Sequence, residues 1–249
     1  MIQRRTALGL FAGAAAGAIA LPQAALAAGG SQKRSAFDPA NQDQLALAFR
    51  KLAYSADDKL TFWWMKGTRY GVTDSVATPF WDMYVAAWFT TRDLPDGKYE
   101  VKMAGGNLYT APGGTALLEK FANPYTGETL DVPYGKPRVS TTVFDSVRGS
   151  AFSSFQMPGM KITGRSDAVG PARIEGDTLY IQADLMLHAE SVDSSRPAFT
   201  VNDWSTYSGS LADVMNPKKP NPPAAQMFND ILDFPAWLKM GDHKGTYLS

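Results

Sequence analysis

The sequence has no cysteine, only two histidines and equal numbers of basic and acidic residues. Without cysteine the chain can form no disulfide, thiolate metal site or cysteine nucleophile. Two histidines without ligand spacing argue against zinc. The chain also lacks a Gly-x-Ser-x-Gly elbow, a phosphate-binding loop and a dinucleotide fingerprint. The sequence therefore predicts no metal and no cofactor, and any catalysis would use acid/base chemistry.

Residues 1–28 have the three parts of a secretory signal peptide. Arg4 and Arg5 form the charged region, and the apolar region that follows is too short and too rich in glycine to span a membrane comfortably. The paired arginines resemble a twin-arginine export signal. We expect the twin-arginine translocase to be a partner during export, with cleavage at Ala27 or within one residue of it. The expected destination is the periplasm, without stable membrane insertion after cleavage.

The charge that remains after the signal does not favour polyanionic partners. Removal of residues 1–28 leaves 22 basic against 24 acidic residues, and the basic residues are scattered singly. A nucleic-acid-binding protein normally carries a basic stripe, so we expect no nucleic acid as a partner. Residues 29–40 are predicted to be a flexible leader. Residues 41–249 are long enough for one domain, and no repeat or linker divides them.

The hydrophobic pattern changes from helical to strand periodicity after residue 53. Apolar residues at positions 45 to 53 predict a short N-terminal helix. Segments 60–70 and 80–91 are rich in aromatic residues, which favours strands, and the alternation in 178–190 predicts the clearest strand. Further strands are predicted at 98–103, 106–110, 115–121, 139–144, 151–156, 159–165 and 172–175.

Turn signals recur every eight to twelve residues, which indicates a mainly β antiparallel domain rather than a βαβ protein. A closed lipocalin- or calycin-like barrel with a ligand cavity is the first expectation, because closure removes exposed strand edges. An open, curved sheet capped by helices is the alternative. A helical pattern returns at residues 224–234, and Trp237 and Met240 then predict a cap over one end of the barrel.

The strand at 178–190 places a histidine and two carboxylates on one face. His188 is four residues from Asp184 and two from Glu190, while the other face is apolar. At roughly 3.3 Å per residue, His188 and Asp184 are too far apart for a direct hydrogen bond, so a catalytic pair needs a partner from another strand. Two interpretations remain open. The polar face either meets solvent or forms a polar patch inside a barrel.

The strand at 80–91 has two largely apolar faces. Alternation places Phe80, Asp82, Tyr84 and Trp88 on one face. A buried charge needs a partner, so Asp82 and Arg69 are either structural ion pairs or parts of a pocket. With tyrosine and tryptophan around them, such a pocket would suit a small aromatic or carboxylate ligand.

Three stretches of sequence carry a family resemblance. Asn-Pro-Tyr-Thr-Gly-Glu at 123–128, Asn-Asp-Trp-Ser-Thr-Tyr-Ser-Gly at 202–209 and Trp-Leu-Lys-Met-Gly-Asp at 237–242 resemble motifs of exported bacterial proteins grouped as domain of unknown function 1838. The resemblance implies a single exported domain, but it transfers no catalytic residue. We expect 202–209 to be an irregular segment over the barrel mouth, where Trp204 and Tyr207 are candidates for binding.

These observations lead to three hypotheses. The first is a cofactor-independent lyase or isomerase that acts on a small aromatic or apolar molecule in a barrel cavity. The second is a non-catalytic barrel that binds such a molecule, and the third is a structural protein of the envelope. For the enzyme, the candidate acid/base residues are His188, Asp184 and Asp82, and the candidate substrate-binding residues are Arg69, Tyr84, Trp88, Trp204 and Tyr207.

Overall fold

The computed structural model of the chain describes residues 37–134, 137–146, 151–156, 158–192 and 198–249. The predicted signal peptide and most of the predicted leader lie outside the described residues. Phe37, at the start of the described chain, is already buried in the core. No helix in these described ranges is long and apolar enough to cross a membrane.

The domain is mainly β and antiparallel, as predicted. Ten strands form one sheet in the order β7-β6-β3-β2-β1-β12-β11-β10-β9-β8, and β4 and β5 form a separate hairpin. The elements are α1 (Gln42–Ala53), β1 (Thr61–Thr73), β2 (Val76–Asp93), β3 (Lys98–Thr110), β4 (Lys120–Ala122), β5 (Thr129–Asp131), β6 (Arg138–Asp145), β7 (Ala151–Gln156), β8 (Met160–Glu175), β9 (Thr178–Ser191), β10 (Phe199–Ser210), α2 (Leu211–Val214), β11 (Ala224–Leu232) and β12 (Thr246–Leu248).

The predicted N-terminal helix is present as α1. The side chain of Asn41 caps it by accepting hydrogen bonds from the backbone N–H groups of Asp43 and Gln44, both at 3.1 Å. Leu45 and Leu52 recur on the face that the sheet buries. Burial of such a face, rather than helix propensity, supplies most of the stability of a helix of twelve residues.

The sheet curls around α1. The first hydrophobic cluster joins α1 to Tyr99 and Phe144 on one half of the sheet and to Leu179 and Ile181 on the other half. Strands β3 and β9 are separated by five strands in the sheet order, yet residues of both belong to the same hydrophobic cluster as α1. We call the face that contacts α1 the inner face, and the opposite one the outer face.

A β-bulge changes the direction of one aromatic side chain. Arg69 of β1 is opposite Trp81 of β2, but the next residue, Tyr70, is opposite Pro79, so Phe80 is the extra residue. Phe80 and Trp81 are therefore buried in the same cluster. The expectation that Phe80 shares a face with Asp82 was wrong, because simple alternation does not anticipate a bulge.

A second hydrophobic cluster covers another part of the inner face, and the chain caps it with the β4–β5 hairpin and the segment 235–243. The side-chain amide of Asn123 donates to the backbone oxygen of Leu238 at 2.8 Å. Lys239 lies 3.6 Å from Glu128. Two of the three stretches that carry the family resemblance therefore pack against each other.

Two further expectations about local structure were wrong. Residues 202–209 belong to β10, which is paired on both sides with β9 and β11, so they are not an irregular segment. Residues 224–232 form strand β11 rather than a helix. In this strand, inner-face residues alternate with exposed residues. The same short apolar pattern is compatible with a helix, and only the neighbouring strands distinguish the two structures.

Candidate functional site

A polar row crosses four adjacent strands on the inner face. Asp203 of β10 is directly opposite Asp230 of β11. Asp230 and Ser249 exchange backbone hydrogen bonds of 3.3 and 3.2 Å just beyond the end of β12, and Arg69 of β1 reaches Asp230 from the far side. We call Arg69, Ser249, Asp230 and Asp203 the polar row. Strand pairing alone brings these residues together from distant parts of the sequence.

Arg69 and Asp230 form a buried, bidentate ion pair. Both terminal nitrogens of Arg69 donate to the two carboxylate oxygens of Asp230, and the Nη2–Oδ2 distance is 2.8 Å. The two side chains are only 6% and 5% exposed. The Ser249 hydroxyl donates to the same carboxylate at 2.7 Å, and the guanidinium lies 4.8 Å from the centre of the Tyr247 ring. This carboxylate is therefore fully engaged.

Asp203 is the carboxylate of the row that is not satisfied. Its Oδ1 atom is buried and has no hydrogen-bond partner, and the same is true of Nε of Arg69. Loss of solvation, and next the negative charge of Asp230, raise the pKa of Asp203 to about 7, although Arg69 acts in the opposite direction. A carboxyl group with this pKa exchanges its proton near neutral pH, as general acid/base catalysis requires.

Polar groups continue from Asp203 along the inner face of β10. Gln226 donates from its amide nitrogen to the hydroxyl oxygens of Ser205, at 3.1 Å, and of Tyr207, at 3.0 Å. Burial raises the pKa of Tyr207 to about 12, so the phenol stays neutral. The Tyr207 ring also packs edge to face with Phe49 of α1. The sequence-predicted residue Tyr207 is thus close to the polar row.

The inner face is only partly covered between the two hydrophobic clusters. Five inner-face side chains from five different strands keep partial exposure there, and the same holds for Asp203. These side chains are Met65, Val85, Met103, Leu185 and Phe228. In a packed core such residues would be fully buried, so this part of the inner face borders open space with largely apolar walls.

His188 and Asp184 lie on the outer face. Nδ1 of His188 is 3.0 Å from the hydroxyl of Thr200, and Nε2 is 3.8 Å from Glu190. The His188 side chain is 41% exposed, and Asp184 is exposed on the same strand. Trp204, which is opposite Asp184, is 43% exposed. None of these three sequence-predicted residues shares a face with Arg69.

Asp82 also lies on the outer face, under a loop. It accepts hydrogen bonds from the Thr68 hydroxyl at 2.8 Å and from the Gly113 backbone N–H at 3.0 Å. The Gly113 bond, followed by the Thr68 bond, holds the pKa of Asp82 below its ordinary value. Asp82 therefore has the contacts of a structural anchor for the loop.

Tyr84 and Trp88 extend the same outer face. The Tyr84 ring stacks on Trp64 with an angle of 12° between the ring planes. Trp88 packs against Phe62 and lines an outer groove of about 520 Å³. The sequence-predicted binding residues are therefore divided, with Arg69 and Tyr207 on the inner face and Tyr84, Trp88 and Trp204 on the outer face.

The two carboxylates of the polar row were not among the residues predicted from the sequence. For Asp203 the sequence did contain a signal. If residues 202–209 are taken as a strand, alternation places Asp203, Ser205 and Tyr207 on one face. Asp230 gave no such signal, since its segment has a helical pattern. Its position opposite Asp203 follows only from the strand pairing.

Comparison with known proteins does not identify the chain. In the described ranges, no group of three or more histidine, cysteine, aspartate or glutamate residues could hold a metal ion. No model of a protein family, no curated protein and no solved structure matches the sequence or its fold. The polar row and the open space beside it are therefore the observations on which a functional conclusion rests.

Proposed function

We propose that the protein is an exported, cofactor-independent acid/base enzyme, of the lyase or isomerase type, that acts on a small aromatic or apolar molecule. The observation that carries this proposal is the Asp203 carboxyl group. It is partly buried, its Oδ1 atom has no partner, and its pKa is about 7. Perturbed carboxyl groups of this kind are concentrated at active sites.

The proposed site is the interior of a closed barrel. The curvature of the sheet around α1 supports closure. The connection between the outermost strands supports it too, because β7 ends at Gln156 and β8 begins at Met160. Four residue steps span at most roughly 14 Å, so the two edges of the sheet are close together. The apolar, partly exposed inner-face side chains would then line the cavity.

In the proposed reaction Asp203 moves a proton. As the carboxylate it removes a proton from a carbon of the substrate, and the electron pair of the broken C–H bond forms a double bond. In a lyase the pair expels a leaving group on the neighbouring atom. In an isomerase the π pair of an adjacent double bond of the substrate shifts as the new double bond forms, and it takes the proton back from Asp203 at a different carbon. Loss of solvation, and next the negative charge of Asp230, keep the proton affinity of Asp203 high enough for both steps, although Arg69 acts in the opposite direction.

The proposal includes export and family membership. The arginine pair and apolar region of residues 1–28 support twin-arginine export to the periplasm. The proposed assignment to domain of unknown function 1838 rests on the sequence motifs at 123–128, 202–209 and 237–242.

The proposal is tested by incubating the purified protein with a panel of small aromatic and apolar metabolites, without added metal or cofactor. Mass-resolved chromatography then compares the wild type with Asp203→Asn and His188→Ala. We expect one compound to be consumed by the wild type and by His188→Ala, and not by Asp203→Asn. Consumption that depends on His188 and not on Asp203 would move the reaction to the outer face.

A non-catalytic barrel that binds a small molecule is the second candidate. The observation that favours it is the full engagement of Asp230, which leaves Asp203 as the single unsatisfied carboxylate of the row. Lyases and isomerases often use separate groups to remove and to return a proton. Retention of a panel compound in unchanged form by the wild type would support this candidate.

A further inference from the structure

The charges on the inner face are not balanced. The polar row contains two carboxylates and one guanidinium, and Asp230 takes up both terminal nitrogens of that guanidinium. The charged groups that act on Asp203 are Asp230 and Arg69. When Asp203 is ionised, the row therefore carries one uncompensated negative charge in a poorly solvated place, where an unpaired charge is costly.

The Asp203 carboxylate also has an oxygen atom that accepts no hydrogen bond. Oδ1 of Asp203 is shielded from solvent and accepts no hydrogen bond. A buried carboxylate oxygen in a folded protein ordinarily has a donor, so this atom lacks the donor that its environment calls for. The residue as a whole is only partly buried.

The surroundings of Asp203 are suited to an organic cation. Phe228, opposite Ser205 in the register of β10 and β11, presents a partly exposed ring on the inner face beside Asp230. Leu185 of β9, which is opposite Asp203 in the register of β9 and β10, supplies apolar surface. An aromatic ring attracts a cation through its quadrupole, and the apolar walls suit the body of an organic molecule.

We infer that the inner site binds a small organic ammonium, whose N–H groups donate to Asp203 and whose aromatic or apolar body lies against Phe228 and the adjoining apolar walls. This inference rests on the proposed function, since it names the substrate class for the same cavity. A carboxylate ligand is disfavoured, because the terminal nitrogens of Arg69 are occupied and Asp203 would repel it. A neutral ligand would leave the charge of the row unbalanced.

The test uses three compounds of nearly the same shape, benzylammonium, benzyl alcohol and benzoate, with the purified protein in a calorimeter at about pH 8. A hydrogen bond to a charged group contributes about 1.5–3 kcal/mol. We therefore expect benzylammonium to bind at least about tenfold more tightly than benzyl alcohol. Benzoate should bind more weakly than both.

The variant Asp203→Asn should remove this preference. It retains the shape of the side chain and deletes the charge, so benzylammonium should lose at least about tenfold in affinity while benzyl alcohol changes little. Asp184→Asn is the matched control, because Asp184 lies on the neighbouring strand but on the outer face. It should leave all three affinities unchanged.

Proton release gives a second readout that needs no variant. At about pH 6 most Asp203 carboxyl groups hold a proton, which an ammonium ligand must displace to form the ion pair. The heat of benzylammonium binding should therefore differ between phosphate and Bis-Tris buffers by an amount that corresponds to about one released proton. Benzyl alcohol should show no such difference.

The outcomes separate the inference from the proposed function. Equal or tighter binding of benzyl alcohol or benzoate, without proton release, would overturn the ammonium inference but retain a ligand cavity. Binding of none of the three compounds would overturn the ammonium inference, whereas the proposed function fails only if no compound of the metabolite panel is consumed in a way that depends on Asp203. Tighter benzylammonium binding that persists in Asp203→Asn would also refute the inference, because the charge would then be recognised elsewhere.

Discussion

Replacement of Asp203 by asparagine should change how the stability of the protein depends on pH. The pKa of Asp203 is raised from 3.8 to about 7 in the folded protein. Between these two values the folded state keeps the proton and the unfolded state has lost it. The free energy of unfolding of the wild type therefore falls as pH rises through this window, and levels off above about pH 7.

The size of this change in the free energy of unfolding follows from the difference between the folded and unfolded pKa values of Asp203. A difference of about three pKa units, at about 1.4 kcal/mol per unit, gives about 4 kcal/mol. This is an upper limit, because Asp203 keeps some exposure and solvent screens its charge. Asp203→Asn lacks the titration, so its stability relative to the wild type should rise with pH between about 4 and 8. The new amide does not titrate, so it changes the free energy of unfolding by an amount that does not depend on pH.

The assay is urea unfolding of both proteins, followed by tryptophan fluorescence at a series of pH values. Titration of all other groups is common to the two proteins and cancels in the difference. Asp184→Asn again serves as the control, and its difference from the wild type should stay flat. If the Asp203→Asn difference is also flat over this range, the carboxyl group titrates normally and the acid/base role assigned to it fails.

Three more predictions test the structure of the sheet. Arg69→Met should cost about 3–5 kcal/mol of stability because it leaves Asp230 as an unpaired buried charge, and the double variant with Asp230→Leu should recover most of the loss in the same unfolding assay. Asp82→Ala should lower the melting temperature at neutral pH through the loss of two hydrogen bonds to a carboxylate, about 1.5–3 kcal/mol for each. Since the pKa of Asp82 is depressed, this effect should fade as pH falls through the carboxyl range, and a pH-independent loss would contradict it. Gly71→Ala places a Cβ atom in a steric clash with Cζ of Phe80 and should cost about 1–3 kcal/mol. Gly67→Ala has no atom within 4 Å of the new methyl group and should be tolerated. Equal melting temperatures for the two variants would refute the packing argument.

The sequence allowed the class of the fold to be predicted because alternation along a strand is a local property. In 178–190, the residues predicted to be apolar and polar faces of one strand do lie on opposite faces of β9. The helix α1 was recognisable for the same reason, since its buried positions follow the helical period. What alternation does not reveal is which of the two faces a curved sheet turns inward.

That ambiguity explains the division of the predicted site residues. His188 and Asp184 were grouped correctly with each other, but they lie on the outer face of β9, where the polar side chains meet solvent. The Asp203–Asp230 contact depends on the pairing of two strands whose register is set by tertiary structure. The segment containing Asp230 was read as a helix, so no local pattern could have placed the two carboxylates opposite each other.

Strand β12 makes the centre of the sheet a seam. Its three residues pair with Tyr70–Val72 of β1 on one side and with Ile231 and Leu232 of β11 on the other. Both long halves of the sheet precede β12 in the chain, so each is already translated before the strand that joins them. The seam has few backbone hydrogen bonds, and the Arg69–Asp230 pair spans it. Amide protons of β12 should therefore exchange faster than those of β2 or β9. The Arg69–Asp230 ion pair therefore helps to hold the two halves of the sheet together. A change at Asp203 that weakens this ion pair would also weaken the association of the two halves.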